Sequence, residues 1–206
     1  MKTRRLMAIT LLLVSAAGVG YLFWQQEVKY VLPTPVPLHY APAVIGDSLA
    51  LSGLLPKGDT KGLLLHFFNP DCPCSRFNVK HFNYLGKTYG QQVQFAVVIP
   101  EFADYKKARE LIEAPIPVYV DSGDAIATAC GVYATPQAVV LTAEGTLFYR
   151  GNYNRARYCT QKNSNYAEIA LQHLLAGREA PQFGMLASQS YGCQFFEENT
   201  LSLLNF

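Results

Sequence analysis

Five cysteines are the residues best equipped for chemistry: Cys72, Cys74, Cys130, Cys159 and Cys193. An odd count excludes a fully paired monomer, so at least one thiol is left over. Cys72 and Cys74 stand in Asn69-Pro70-Asp71-Cys72-Pro73-Cys74-Ser75, directly after an apolar run and ahead of a helical pattern. Unpaired backbone N–H groups at a helix start carry partial positive charge, which stabilises a thiolate. A thiol of lowered pKa is a better nucleophile and leaving group near neutral pH, so this placement suits thiol–disulfide exchange. Soft thiolates also suit Cu(I), which makes Cys72 and Cys74 metal ligands in an alternative reading. A third reading keeps the pair as a permanent disulfide in a catalytically silent binding module. A Cys72–Cys74 bond would close a very small, strained and comparatively oxidising ring; otherwise Cys74 pairs elsewhere and Cys72 acts with a different resolving thiol. Cys130, before Gly131 in an apolar helical piece, reads as a core residue.

The elements that must position these sulfurs follow from periodicity. Gly62-Leu63-Leu64-Leu65-His66-Phe67-Phe68 reads as a strand buried on both faces. A helix is predicted over 77–89, closing at Gly90, and a second buried strand over 93–99. A charged helix over 103–113, a strand over 116–120 and a short helix over 125–130 come next. Strands over 137–141 and 146–149 flank Ala143-Glu144-Gly145 as a hairpin, and a last amphipathic helix spans 166–175. This alternation predicts a three-layer α/β/α sandwich around a mixed central sheet.

The N-terminus decides the compartment. Lys2, Arg4 and Arg5 precede an uncharged stretch from Leu6 to Trp24, long enough as a helix to cross roughly 30 Å of hydrocarbon. Tyr21 and Trp24 sit at its far end, where interfacial aromatics belong. Ser15-Ala16-Ala17 offers a signal-peptide cleavage pattern, but the apolar run continues past it, which favours a retained anchor. The expectation is a single-pass inner-membrane protein with its C-terminal domain in the periplasm. Residues 1–24 are read as anchor, 25–43 as a Pro-rich spacer, 44–177 as the domain and 178–206 as an extension packed on it. Of 17 basic residues, setting aside Lys2, Arg4 and Arg5 leaves 14 against 15 acidic ones. A near-neutral body has no field to hold a polyanion, so nucleic acid is excluded as a partner. Export also permits disulfides. Cys159 and Cys193 flank the last helix, and their leading reading is a structural staple for the tail, whose Phe183, Tyr191, Phe195, Phe196 and Leu203 need docking. A redox relay with Cys72 and Cys74, or a shared metal site, are the other readings of that pair.

Leu65 to Ser75, together with Val132-Tyr133-Ala134-Thr135-Pro136-Gln137-Ala138-Val139-Val140, resembles the thioredoxin/redoxin superfamily over roughly residues 45–177. More narrowly, the chain is similar to a group of membrane-anchored redoxin-like proteins that pair Cys-Pro-Cys with a later cysteine and a C-terminal Gly-Cys, here Cys159 and Gly192-Cys193. The resemblance implies a thioredoxin-like fold in which Cys72 is the attacking cysteine. It further implies that Thr135 and Pro136 form the loop whose cis proline lies against that cysteine. It departs from the pattern at Ser75, where the usual resolving cysteine would stand. His66, six residues before Cys72, occupies the place of the family's buried acid, where it is either a proton relay or a strand histidine satisfied by a carbonyl. The expected function is a thiol–disulfide oxidoreductase acting on exported protein thiols and disulfides, with Cys72, Cys74, Thr135, Pro136 and His66 as its residues and no cofactor.

Overall fold

Runs of Leu, Val, Ile and Phe too long for one exposed face force burial on both sides, and in this chain they pair into a single sheet. The computed structural model describes residues 2–30, 32–38, 40–51, 53–56, 58–113, 115–156, 159 and 161–196; Leu203 of the expected tail contacts lies outside them. The chain divides into two units, residues 1–32 and 33–206. The first is built on helix α1, Lys2–Gln26, whose side chains are all unburied within the protein. At about 1.5 Å per residue its 25 residues rise about 37 Å, long and apolar enough to cross a membrane.

The second unit contains strands β1 (Gly62–Phe67), β2 (Gln94–Pro100), β3 (Val118–Asp121), β4 (Ala134–Thr135), β5 (Gln137–Thr142), β6 (Leu147–Gly151) and β7 (Cys193–Gln194). Its helices are α2 (Pro73–Tyr89), α3 (Tyr105–Leu111), α4 (Ala125–Cys130), α5 (Tyr166–Leu175) and α6 (Met185–Ser188). The main sheet runs β3-β2-β1-β5-β6. β1, β2 and β3 are parallel, and the hairpin β5–β6 joins antiparallel to β1. This is the mixed thioredoxin-like α/β arrangement that the sequence resemblance implied.

Side-chain alternation along β1 divides the core. Leu64 and Phe68 join Phe82, Leu85, Ala108 and Leu171 on the face covered by α2, α3 and α5. Leu65 and Phe67 join Ile126, Val139 and Phe195 on the face covered by α4 and the C-terminal tail. α2 starts four residues earlier than the periodicity predicts, because Pro73 takes the first helical position, where its fixed φ and missing N–H cost nothing. Cys74 and Ser75 are thereby helical residues, not loop residues.

The expected spacer over 25–43 does not persist as one free element. From Pro33 onward the chain is part of the second unit: Thr34 N donates to Ser190 O at 2.9 Å, and Tyr40 Oη to Gly131 O at 2.7 Å. Proline prevents a helix there, but an extended strand can still find a partner, and Pro33 bridges Tyr191.

Candidate active site around Cys72

The register of β1 brings the two motifs together. Phe67 lies opposite Gln137, so the loop leaving β1 and the Thr135-Pro136 turn entering β5 emerge side by side at the same end of the sheet. The peptide between Thr135 and Pro136 is cis. Beyond Phe67 the chain is held by an Asn69 turn: Asp71 N donates to Asn69 Oδ1 at 2.9 Å and Cys72 N to Asn69 O at 3.0 Å. Ser75, standing where a resolving cysteine was expected, uses its Oγ to accept from Asn69 N at 3.3 Å. Cys72 itself is the N-cap of α2, in extended conformation and without a side-chain capping bond. Its sulfur therefore sits at the positive end of the helix, 3.7 Å from Thr135 O.

Cys72 is joined by a disulfide to Cys193, 121 residues away, with the two Cα atoms 6.0 Å apart. The tail reaches that position as a strand. β7 pairs antiparallel with β4, setting Cys193 opposite Thr135 and Gln194 opposite Ala134. Gly192 precedes it at φ +110°, and a Cβ there would fall 2.2 Å from Thr135 O, so only glycine admits this approach. Phe195 anchors the far side: its N–H donates to Tyr133 O at 2.9 Å, and its fully buried ring meets Phe67 edge to face at 5.5 Å. Thr34 Oγ1 donates to Gly192 O at 3.3 Å, and Gln137 Nε2 donates to Ser190 Oγ.

Two sequence expectations about pairing are corrected. Cys159 and Cys193 do not form a staple, because Cys193 is taken by Cys72. Cys159 keeps its thiol, which donates to Asn78 Oδ1 at 2.8 Å, and burial pushes that thiol up to about 12. Nor do Cys72 and Cys74 pair with each other. Residues two apart on a helix do not share a face, and Cys74 turns fully buried into the protein while its carbonyl accepts from Asn78 Nδ2 at 3.0 Å. Among the described residues no cluster of three or more His, Cys, Asp or Glu side chains could hold a metal ion. Cys130 is a core residue at the end of α4, its thiol likewise raised by burial to about 12.

His66 lies on β1 within the core, stacked on Phe82 at 4.4 Å and Phe68 at 5.3 Å. Its Nδ1 shares a 2.8 Å hydrogen bond with Tyr153 Oη, and its Nε2 has no partner among the described residues. Burial first, and the neighbouring His81 second, lower its pKa to about 3. The imidazole is thus neutral throughout the range in which a relay was expected to titrate. The partner is a tyrosine hydroxyl, where the alternative expectation had placed a backbone carbonyl. Tyr153 was not singled out by the sequence; its signal would have been a polar aromatic in a buried stretch following a strand.

The fold has known counterparts. A hypothetical protein from Sinorhizobium meliloti 1021 superposes with a TM-score of 0.62 at 20% identity, over 75% of this chain and 95% of that one. An uncharacterised conserved protein from Geobacillus kaustophilus gives 0.58 at 21%, over 79% and 92%. A secreted disulfide oxidoreductase from Mycobacterium tuberculosis is more distant, at 0.42 and 18%, over 57% and 81%. At these identities the likeness is one of fold alone. No curated protein matches the chain. The family described as a domain of unknown function, DUF6436, matches residues 47–194, a span that contains Cys72, the Thr135-Pro136 turn and Cys193 together, and the chain belongs to that family.

Proposed function

We propose that this chain is a membrane-anchored thiol–disulfide oxidoreductase whose redox couple is Cys72–Cys193, acting on the cysteines of exported proteins. One observation carries the reading. The cysteine at the N-terminus of α2, beside the Thr135-Pro136 turn, is bonded to a second cysteine carried there by a separate strand. A helix N-terminus favours the thiolate that such exchange releases. Pro136 and Thr135 shape the groove in which the sulfurs meet, and His66 holds the neighbouring core without exchanging protons. Lys2, Arg4 and Arg5 in the first turns of α1 support an inner-membrane anchor with the body in the periplasm.

The test is equilibration in glutathione buffers across a range of potentials, followed by alkylation and mass mapping. Cys72 and Cys193 are expected to change state together as a two-electron couple, and Cys72→Ser to abolish insulin reduction. A Cys72–Cys193 bond that stays oxidised in every buffer would make it a structural staple and end the oxidoreductase reading.

A further inference from the structure

The order in which the two sulfurs meet a substrate is set by what covers them. Cys72 is 1% exposed, bonded to Cys193 of β7 and 3.7 Å from the Thr135 carbonyl. Cys193, on the strand that does the covering, is partly exposed. The edge of β4 is already occupied by β7, so an incoming segment cannot pair there while the tail is docked. The tail does not lift easily, since Phe195 is fully buried and Thr34 and Gln137 hold Gly192 and Ser190. Exchange rates depend on which sulfur is accessible and on how well the other one leaves. Both criteria select the same direction, because the hidden sulfur is also the one at the positive end of α2.

Resting on the oxidoreductase reading, we infer that Cys193 is the sulfur that substrates attack and that Cys72 is the internal leaving group. An incoming substrate thiolate forms a bond to Cys193 Sγ as the Cys72–Cys193 bond breaks. The electron pair of that bond departs on Cys72 Sγ as a thiolate at the start of α2. A second substrate thiolate then attacks the substrate sulfur of the mixed disulfide and releases Cys193. The substrate dithiol has been oxidised by two electrons to a disulfide, and its two protons end on Cys72 and Cys193. In the opposite direction the same bonds form and break in reverse, with Cys193 attacking a substrate disulfide and Cys72 displacing the product. The tail is therefore part of the exchange machinery and carries the bond between partner and buried thiol. This inverts the order expected from the sequence, in which Cys72 meets the partner first.

Oxidised full-length protein in detergent micelles is mixed with reduced glutathione and quenched with acid at successive early times. Peptide mapping then locates the glutathione adduct. The earliest adduct is expected on Cys193, in at least about tenfold excess over Cys72, as accessibility and leaving-group ability both dictate. A predominant early adduct on Cys72 overturns the inference and leaves the oxidoreductase reading standing. A disulfide that resists glutathione entirely, with no adduct on either sulfur, overturns both.

Discussion

Cys72 and Cys74 are two residues apart in the first turn of α2, yet they occupy different chemical worlds. Cys72 caps the helix, faces the Thr135-Pro136 turn and is bonded to the tail. Cys74 is turned into the protein, where Asn78 links its carbonyl to the Cys159 thiol. On the first side, a partner sulfur meets the positive end of the helix, in the bond proposed to exchange. On the second side, burial holds the Cys159 thiol protonated far above neutral pH. Cysteine identity therefore says little about reactivity; the rotation of about 100° per residue around a helix decides it.

Breaking the first side should have the largest effect. Reducing Cys72–Cys193 opens a closed loop of more than a hundred residues, which in the chain-entropy view removes about 3–5 kcal/mol of stability. Urea unfolding with and without reductant measures this loss, and Cys193→Ser should be insensitive to reductant. An unchanged midpoint in the wild type would mean that the tail holds its place without the bond.

The core beside the second side should show itself through pH. The folded pKa of His66 is lowered to about 3 from an ordinary 6.5, so the unfolded chain binds the extra proton between these values. Stability is then fully present above pH 6.5 and is lost as pH falls toward 3, by an amount on the order of a few kcal/mol. His66→Phe, which keeps an aromatic ring against Phe82, should flatten that acid slope in chemical denaturation between pH 6.5 and 4. A slope as steep as that of the wild type would assign the acid sensitivity to other groups.

The smallest effect is expected from Cys159→Ala. It removes one half-buried thiol and its bond to Asn78, a loss of about 1 kcal/mol. Glutathione exchange at Cys72–Cys193 should stay within about twofold of the wild type, since Cys159 takes no part in that bond. A tenfold fall would join the two sides into one relay.

Much of the fold was legible because it is written locally. Gly62 to Phe68 read as a doubly buried strand, Ala143-Glu144-Gly145 as a hairpin, and Pro73 marks a helix start one turn ahead of the one that periodicity predicts. The Thr135-Pro136 turn was found through the resemblance of its motif to the thioredoxin/redoxin loop. The partners of the cysteines were another matter. Export and sequence neighbourhood suggested Cys159 with Cys193, since both flank the last helix, but flanking a helix does not bring two sulfurs together. The resting place of the tail follows from backbone hydrogen bonds between β7 and β4, from the space that Gly192 leaves against Thr135, and from a core slot filled by Phe195. None of these carries a signal within a short window of sequence.

What the sequence determined by itself is the reactive group and the scaffold: a thiol at a helix start, buried strands, and an apolar N-terminal helix. Those are short-range properties, set by periodicity, helix polarity and proline. Only the tertiary structure decided which thiol Cys72 meets and why His66 stays neutral. Pairing across 121 residues depends on where two distant strands come to lie, and the proton affinity of a buried imidazole depends on which rings close around it.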